Sequence, residues 1–308
     1  MSSCANVEIE LNSRIGSLAK ANGAIPGLLL MTTFVLVFLV WIGSLFGGLL
    51  GALTGLGGGV VIVPLLVLVF GVDIRYAMGA SLISVIATSS GAAAAYVKEG
   101  FSNIRIGMFL EIATTIGALL GASLAVRLPT KLIGVIFGGV LIVSAILSYR
   151  DPVNPSGDEP PDPLATRLRM DSTYPSLTGI RPYHVRRIPA GFGMMFGAGT
   201  LSGLLGIGSG AFKVLAMDQV MRIPFKVSTT TSNFMIGVTA AASAGIYLRR
   251  GFVAPGLAMP VVLGVIIGSI IGTRILVKTK TKWLRIVFSL VIAVLGFEMM
   301  YGALTGKL

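Results

Sequence analysis

The 308-residue sequence holds a single cysteine, Cys4, and a single histidine, His184. A disulfide framework needs paired cysteines and is excluded, and a centre built from His and Cys has too few ligands, so no metal or cofactor is expected. Charge is also scarce, at 12% of residues against 54% hydrophobic. One soluble core cannot hide that much apolar surface, which excludes a soluble globular protein. The strict apolar/polar alternation of a membrane barrel is missing too. Lys and Arg outnumber Asp and Glu by 24 to 12. They are scattered between apolar segments without the signature of a nucleic-acid-binding fold, so no nucleic acid partner is expected.

What is present is a series of apolar runs, at about 27–53, 59–71, 77–96, 103–126 and 131–149, then 188–205, 211–221, 228–248, 253–277 and 283–303. Several reach the roughly 20 residues a helix needs to cross a hydrocarbon core. The expectation is an all-α polytopic protein of the cell membrane, the cytoplasmic membrane if bacterial, with the lipid bilayer as its solvent. Residues 1–26 read as a polar N-terminal segment, and the run after them is too long for a cleaved signal. Residues 150–187 read as a linker, rich in proline and mixed charge and without a helical period.

The flanking regions, 27–149 and 188–308, align without a gap at an offset of 151 positions, as Gly55 stands to Gly206. Gly57 and Gly59 fall on Gly208 and Gly210, Ser81 on Ser232, Thr88 on Thr239, Tyr96 on Tyr247, Gly100 and Phe101 on Gly251 and Phe252, and Gly117 and Gly121 on Gly268 and Gly272. Chance apolar similarity aligns leucines more readily than this set, so the sequence reads as an internal duplication. If the first two runs of each half form a hairpin that enters and returns on one side, each half makes three full crossings, and an odd number inverts the second repeat. That arrangement gathers the larger share of Lys and Arg on the linker's face, which the positive-inside rule makes cytoplasmic. The expected architecture is therefore two inverted repeats, each a broken-helix hairpin followed by three transmembrane helices.

The clusters "GLGGG" and "GIGSG" open short apolar segments that cannot span alone. A helix breaks at membrane depth only where protein or a watery cavity surrounds the break. Helix N-termini carry partial positive charge, so Gly57, Gly58 and Gly59 in one cluster, and Gly208, Ser209 and Gly210 in the other, are candidates to present amides to an anion. The bland alternative is close helix packing. Packing is the preferred reading for Gly117/Gly121 and Gly268/Gly272, which are spaced by four.

Lys213 replaces Ile62 of the first repeat, in the first turn of the second short segment. A cation near the membrane centre costs on the order of 3 kcal/mol on insertion scales, so something negative should compensate. A bound anionic substrate, a carboxylate such as Glu111, and the headgroup region reached by snorkelling are the three options. Asp218 lies four residues before Arg222, at the spacing of a helical ion pair. Ser81, Ser84 and Thr88, and in the second half Thr231, Ser232, Asn233 and Thr239, either donate to an oxyanion or knit helices together. Ser232 and Asn233 are favoured because they are read as opening a helix close to the break. Glu111 is the one acidic residue well inside a long crossing, a candidate for proton coupling or for a paired structural role. Tyr96, Phe101, Tyr247 and Phe252 read as interfacial anchors.

The runs "GIGSGAFKV" and "TSNFMIGVTAA", with the aligned glycines and aromatics, resemble the TauE/SafE family of membrane anion exporters over about residues 40–303, apart from the linker. The resemblance implies export of sulfite, sulfoacetate or another organosulfonate across the cytoplasmic membrane. Ser209 stands where that family commonly has a third glycine and Leu215 where it commonly has proline, and the linker is long. An enzyme is not expected: an intramembrane serine protease built on Ser209 would need His184, which lies in the linker, and neither glycine cluster has the Gly-Lys-Ser/Thr ending of a phosphate loop. A passive anion channel, or a membrane scaffold acting through its linker, is the alternative function.

Overall fold

A computed structural model describes residues 26–54, 57–98, 102–149, 162–176, 179–278 and 281–306. The polar N-terminal segment and the proline-rich start of the linker lie outside the described residues. So do Gly55 and Phe101 and the side chain of Tyr96.

The chain is dominated by helices: α1 (Pro26–Thr54), α2 (Gly59–Pro64), α3 (Ile74–Lys98), α4 (Ile104–Ala125), α5 (Thr130–Tyr149), α6 (Pro163–Arg167), α7 (Ile188–Leu205), α8 (Gly210–Leu215), α9 (Phe225–Arg249), α10 (Pro255–Lys278) and α11 (Thr281–Thr305). Their boundaries repeat at the offset read from the sequence. The starts of α2, α3 and α5 recur 151 positions later in α8, α9 and α11. Both short helices widen into a π turn at matching places, Leu65–Val69 and Ala216–Val220. Pro64 precedes the first turn and Leu215 the second, so proline is not what opens it.

Among the described residues four helices are long and apolar enough to cross a membrane: Phe34–Ala52 in α1, Ile104–Ala125 in α4, Ile188–Leu205 in α7 and Pro255–Gly272 in α10. They pair as α1 with α10 and α4 with α7. Glycines set both pairings. Gly264 faces Trp41 and Leu45, Gly268 faces Leu45 and Leu49, and Gly272 faces Leu49 and Ala52, so α1 and α10 run in the same direction. Gly199 sits on Thr114 and Gly203 on Ala118 and Ala122, so α4 and α7 do too. The spacing of four puts each glycine on one face, and its missing side chain lets the backbones touch. The packing role expected for Gly117/Gly121 and Gly268/Gly272 is thus observed.

α3 packs on α9, and α5 on α11. Met78 meets Tyr247 while Ser89 meets Gly237, so α3 and α9 run in opposite directions. Gly138 faces Gly296 and Met300, and Gly296 faces Leu141 and Ile142, so α5 and α11 also oppose each other. Outward faces such as Leu119, Leu120 and Leu124 on α4, and Leu263, Ile267 and Ile270 on α10, are left uncovered. Ile62, Leu66, Leu82, Val85, Ile207 and Ile236 fill the centre.

The all-helical class expected of the two halves is observed, and the linker adds the short helix α6 and an antiparallel hairpin, β1 (Ser172–Ser176) and β2 (Gly179–Tyr183), with Ser172 opposite Tyr183. Asp162 caps α6 by accepting from the Leu164 amide, with Pro163 in the first turn. Ala165, Met170, Tyr183 and Val185 then bury against Ile106 and Leu110 of α4 and Met217 and Met221 beyond α8. Local periodicity missed this because the apolar residues of the linker close over another element rather than over each other. One expectation is corrected: Tyr247 is not an interfacial anchor. It is almost wholly buried, and its hydroxyl donates to the Gly203 carbonyl at 3.1 Å.

Candidate functional site

Each long helix that precedes a glycine cluster is followed by a segment folded back along it. Gly51 faces Gly58, Gly47 faces Ile62 and Gly43 faces Leu65, so α2 and its π turn return antiparallel to α1. Gly191 against Met221 marks the same return beside α7. The second turn is made by left-handed backbone: Gly206 and Gly208 have φ of 67° and 74°, and Ser209 follows at 45°. Glycine adopts that region freely whereas serine is strained there, which gives physical content to the preference for a third glycine.

The two breaks meet. A Cβ placed on Gly59 would lie 3.2 Å from Ile207 Cα and 2.6 Å from Ser81 Oγ, and one on Gly208 would lie 2.7 Å from Ile236 Cγ2. Gly57, Gly58, Gly59, Gly208, Ser209 and Gly210 are all buried. Ser81 Oγ donates to the Gly206 carbonyl at 2.8 Å, so α3 of the first half holds the break of the second. Ser232 Oγ makes a longer contact, 3.4 Å, with the Gly210 carbonyl. Asn233 is buried beside it on α9. Neither opens a helix, since α9 begins at Phe225, two turns earlier. Ser84 and Thr88 bond carbonyls within α3, and Thr231 accepts from the Asn103 amide at the start of α4. Of these three, Thr231 links two helices, while Ser84 and Thr88 bond only within their own. Ser209 Oγ and Ser202 Oγ are buried without a hydrogen-bond partner.

Lys213 is completely buried and does not snorkel. Its ammonium donates to Thr239 Oγ1 and stands 3.8 Å from Glu111 Oε2. Thr239 Oγ1 also lies 2.6 Å from Glu111 Oε1 and 2.9 Å from the Met235 carbonyl. Thr115 adds a 3.3 Å contact to Oε1, while Oε2 is buried without a hydrogen-bond partner. Of the three compensations read from the sequence, the structure therefore contains the carboxylate. The pair is loose, bridged through a hydroxyl rather than directly hydrogen-bonded. Thr239 was recognisable only as one hydroxyl among several, although its position seven residues after Ser232 puts it on the same face of α9. At the positions 151 earlier than Lys213 and Thr239 stand Ile62 and Thr88, and 151 after Glu111 stands Val262. The ion pair bridges the two halves and has no symmetry-related counterpart.

Asp218 is buried and Arg222 exposed. The π turn ends at Val220 and Arg222 has a φ of 58°, so the helical spacing assumed for an ion pair between them is not realised.

A family model described as "Sulfite exporter TauE/SafE" matches residues 25–299. The chain is similar to a probable membrane transporter protein of Bacillus subtilis, YunE, with 28% identity over 274 residues, covering 86% of this chain and 97% of the relative. A second Bacillus subtilis relative, the probable membrane transporter protein YdhB, is 27% identical over 231 residues, 75% of this chain and 86% of its own. A probable membrane transporter protein of Methanocaldococcus jannaschii is 25% identical over 268 residues, 82% and 91% of the two chains. No solved structure matches the chain.

Proposed function

The chain belongs to the sulfite exporter TauE/SafE family of multi-pass membrane transporters, and we propose that it exports a small anion of the sulfite or organosulfonate class by alternating access. One observation carries this reading: a wholly buried ammonium, that of Lys213, lies in the first turn after a helix break that abuts a second break. Desolvating a cation is costly and is retained where it serves an ion pathway or an anionic ligand. Gly57, Gly58, Gly59, Gly208, Ser209 and Gly210 supply amides at the two breaks, Lys213 supplies charge, and Ser81, Ser232 and Asn233 supply polar contacts around it. Glu111 supplies a titratable group for proton linkage.

The opposed directions of α3 and α9, and of α5 and α11, support inverted repeats about an axis lying across the helices. Rocking of one hairpin against the other around a shared midplane site follows naturally from that arrangement. The linker then lies on the cytoplasmic side.

The test is uptake and counterflow of radiolabelled sulfite in proteoliposomes, with sulfoacetate and taurine as competitors. Saturable uptake that is accelerated by trapped sulfite supports a carrier. Uptake linear in concentration and without counterflow would identify a channel, and no sulfite or sulfonate movement would overturn the assignment.

A further inference from the structure

Thr239 carries one hydroxyl proton but has two acceptors within reach, Glu111 Oε1 at 2.6 Å and the Met235 carbonyl at 2.9 Å. With Glu111 ionised, the hydroxyl donates to the carboxylate and accepts from Lys213 Nζ. With Glu111 protonated, the carboxyl group donates to Thr239, and the threonine proton turns to the Met235 carbonyl. Hydrogen bonding is satisfied in both states by rotation about one bond, and the helix backbone need not move. Glu111 Oε2 is buried, 3.8 Å from the ammonium and without a hydrogen-bond partner, so no direct hydrogen bond fixes the carboxylate to the lysine.

Resting on the anion-site reading, we propose that Glu111 is the resident counter-ion of Lys213 and that the transported anion displaces it, with one proton taken up by Glu111 for each anion bound. The proton enters from the water on the side where the anion enters and leaves with it on the other. The site is then neutral when empty, as ammonium and carboxylate, and neutral when loaded with a monoanion, as ammonium, anion and carboxylic acid. A buried site that avoids net charge avoids the large desolvation cost of an unpaired ion. Thr239 is a positioning residue, holding Nζ and Oε1 on one oxygen. Because Ile62 of the first half and Val262 of the second stand at the positions equivalent to Lys213 and Glu111, each chain carries one such exchange.

No other described charge competes closely in sequence for this role. α7, packed along α4, has no titratable side chain; α9 carries Lys226, Tyr247 and Arg249 only towards its ends; α8 and its π turn add Asp218, five residues beyond Lys213. Arg105 and the linker groups Asp171, Tyr183 and His184 belong to the region around the start of α4.

The experiment is calorimetric titration of the purified full chain with sulfite and with isethionate, in buffers of different ionisation heat, which counts protons taken up per anion. Wild type should take up about one proton more per anion than Glu111→Gln, a difference that cancels any titration of the anion itself. Equal proton counts in the two proteins overturn the inference while leaving the anion site standing. Binding of neither anion to wild type overturns the site reading and this inference with it. Should Glu111→Gln not fold, wild-type proteoliposomes decide: isethionate entry should carry protons inward and be unchanged in rate by an imposed membrane potential, and potential-driven entry without proton movement overturns the proposal. Thr239→Val should slow transport at least tenfold, and Thr239→Ser, which keeps the hydroxyl, should restore it; equal rates in the two variants overturn the positioning role.

Discussion

Ser81 and Gly206 are joined across 125 residues by a 2.8 Å hydrogen bond in which the serine hydroxyl donates to the glycine carbonyl. Gly206 is the first left-handed residue after α7, and its carbonyl is one of those a helix end leaves unsatisfied. Ser81→Ala should therefore cost about 1 kcal/mol, the usual net worth of such a bond, and more if the carbonyl stays dry. Ser84→Ala, which removes only a bond within its own helix, should cost less. Urea unfolding in detergent followed by tryptophan fluorescence distinguishes them; equal losses would mean that the link to Gly206 contributes nothing.

Lys213 and Glu111 should behave as a coupled pair. Removing one partner of a buried pair costs about 3–5 kcal/mol, whereas replacing both is often near neutral. From sequence alone Lys213→Met is expected to fold as well as wild type or better, but Glu111 changes that outcome. Lys213→Met should lower the midpoint of thermal unfolding, and Lys213→Met with Glu111→Gln should recover much of the loss. Both should lose sulfite affinity by about ten- to a hundredfold, the equivalent of one hydrogen bond to a charged group. Additive stability losses would show that the two residues do not interact.

Close backbone contact between α4 and α7 makes Gly121→Ala disruptive, because its Cβ would collide with the Thr200 carbonyl. Gly268→Ala should do the same to α1 and α10 through the Leu45 carbonyl. Overpacking of this kind costs about 1–3 kcal/mol. Gly139→Ala is the control, since nothing lies within 4 Å of its added methyl group, and helix propensity should make it neutral or slightly stabilising. Thermal unfolding of the three variants checks the ordering.

Burial raises the Tyr183 phenol above its ordinary value of about 10, against the opposing hydrogen bond from Asn103 Nδ2 at 2.8 Å. The neutral phenol is thus favoured in the folded state. Its contribution to stability is fully present below about pH 10 and is lost as the pH rises through the folded value. Tyr183→Phe should cost about 1 kcal/mol near neutrality and should make the unfolding temperature fall less steeply above about pH 10. An unchanged alkaline slope would assign it to other groups.

The proposed cytoplasmic placement of the linker hairpin predicts how a cysteine at the exposed Thr173 should behave, in a chain with Cys4 replaced by serine. In intact cells it should resist an impermeant maleimide and react once the membrane is opened. Ready labelling from outside would reverse the topology.

By itself the sequence determined the class of the protein, the recurrence of its pattern at an offset of 151, the glycine breaks and the short segments after them. These are local properties: apolar length, spacing and the freedom of glycine act within a few turns of chain and recur wherever the residues recur. It also marked Lys213 and Glu111 as costly ions, since a charge in an apolar run is conspicuous whatever surrounds it. Only the tertiary structure decided that each is the other's partner, through a threonine 128 residues from Glu111. It also decided that the linker closes over α4, and that Tyr247 turns inward rather than to the interface. Those outcomes depend on which helices meet and in which direction. That is set by backbone contact at glycines distributed along the whole chain, and no single stretch of sequence carries it.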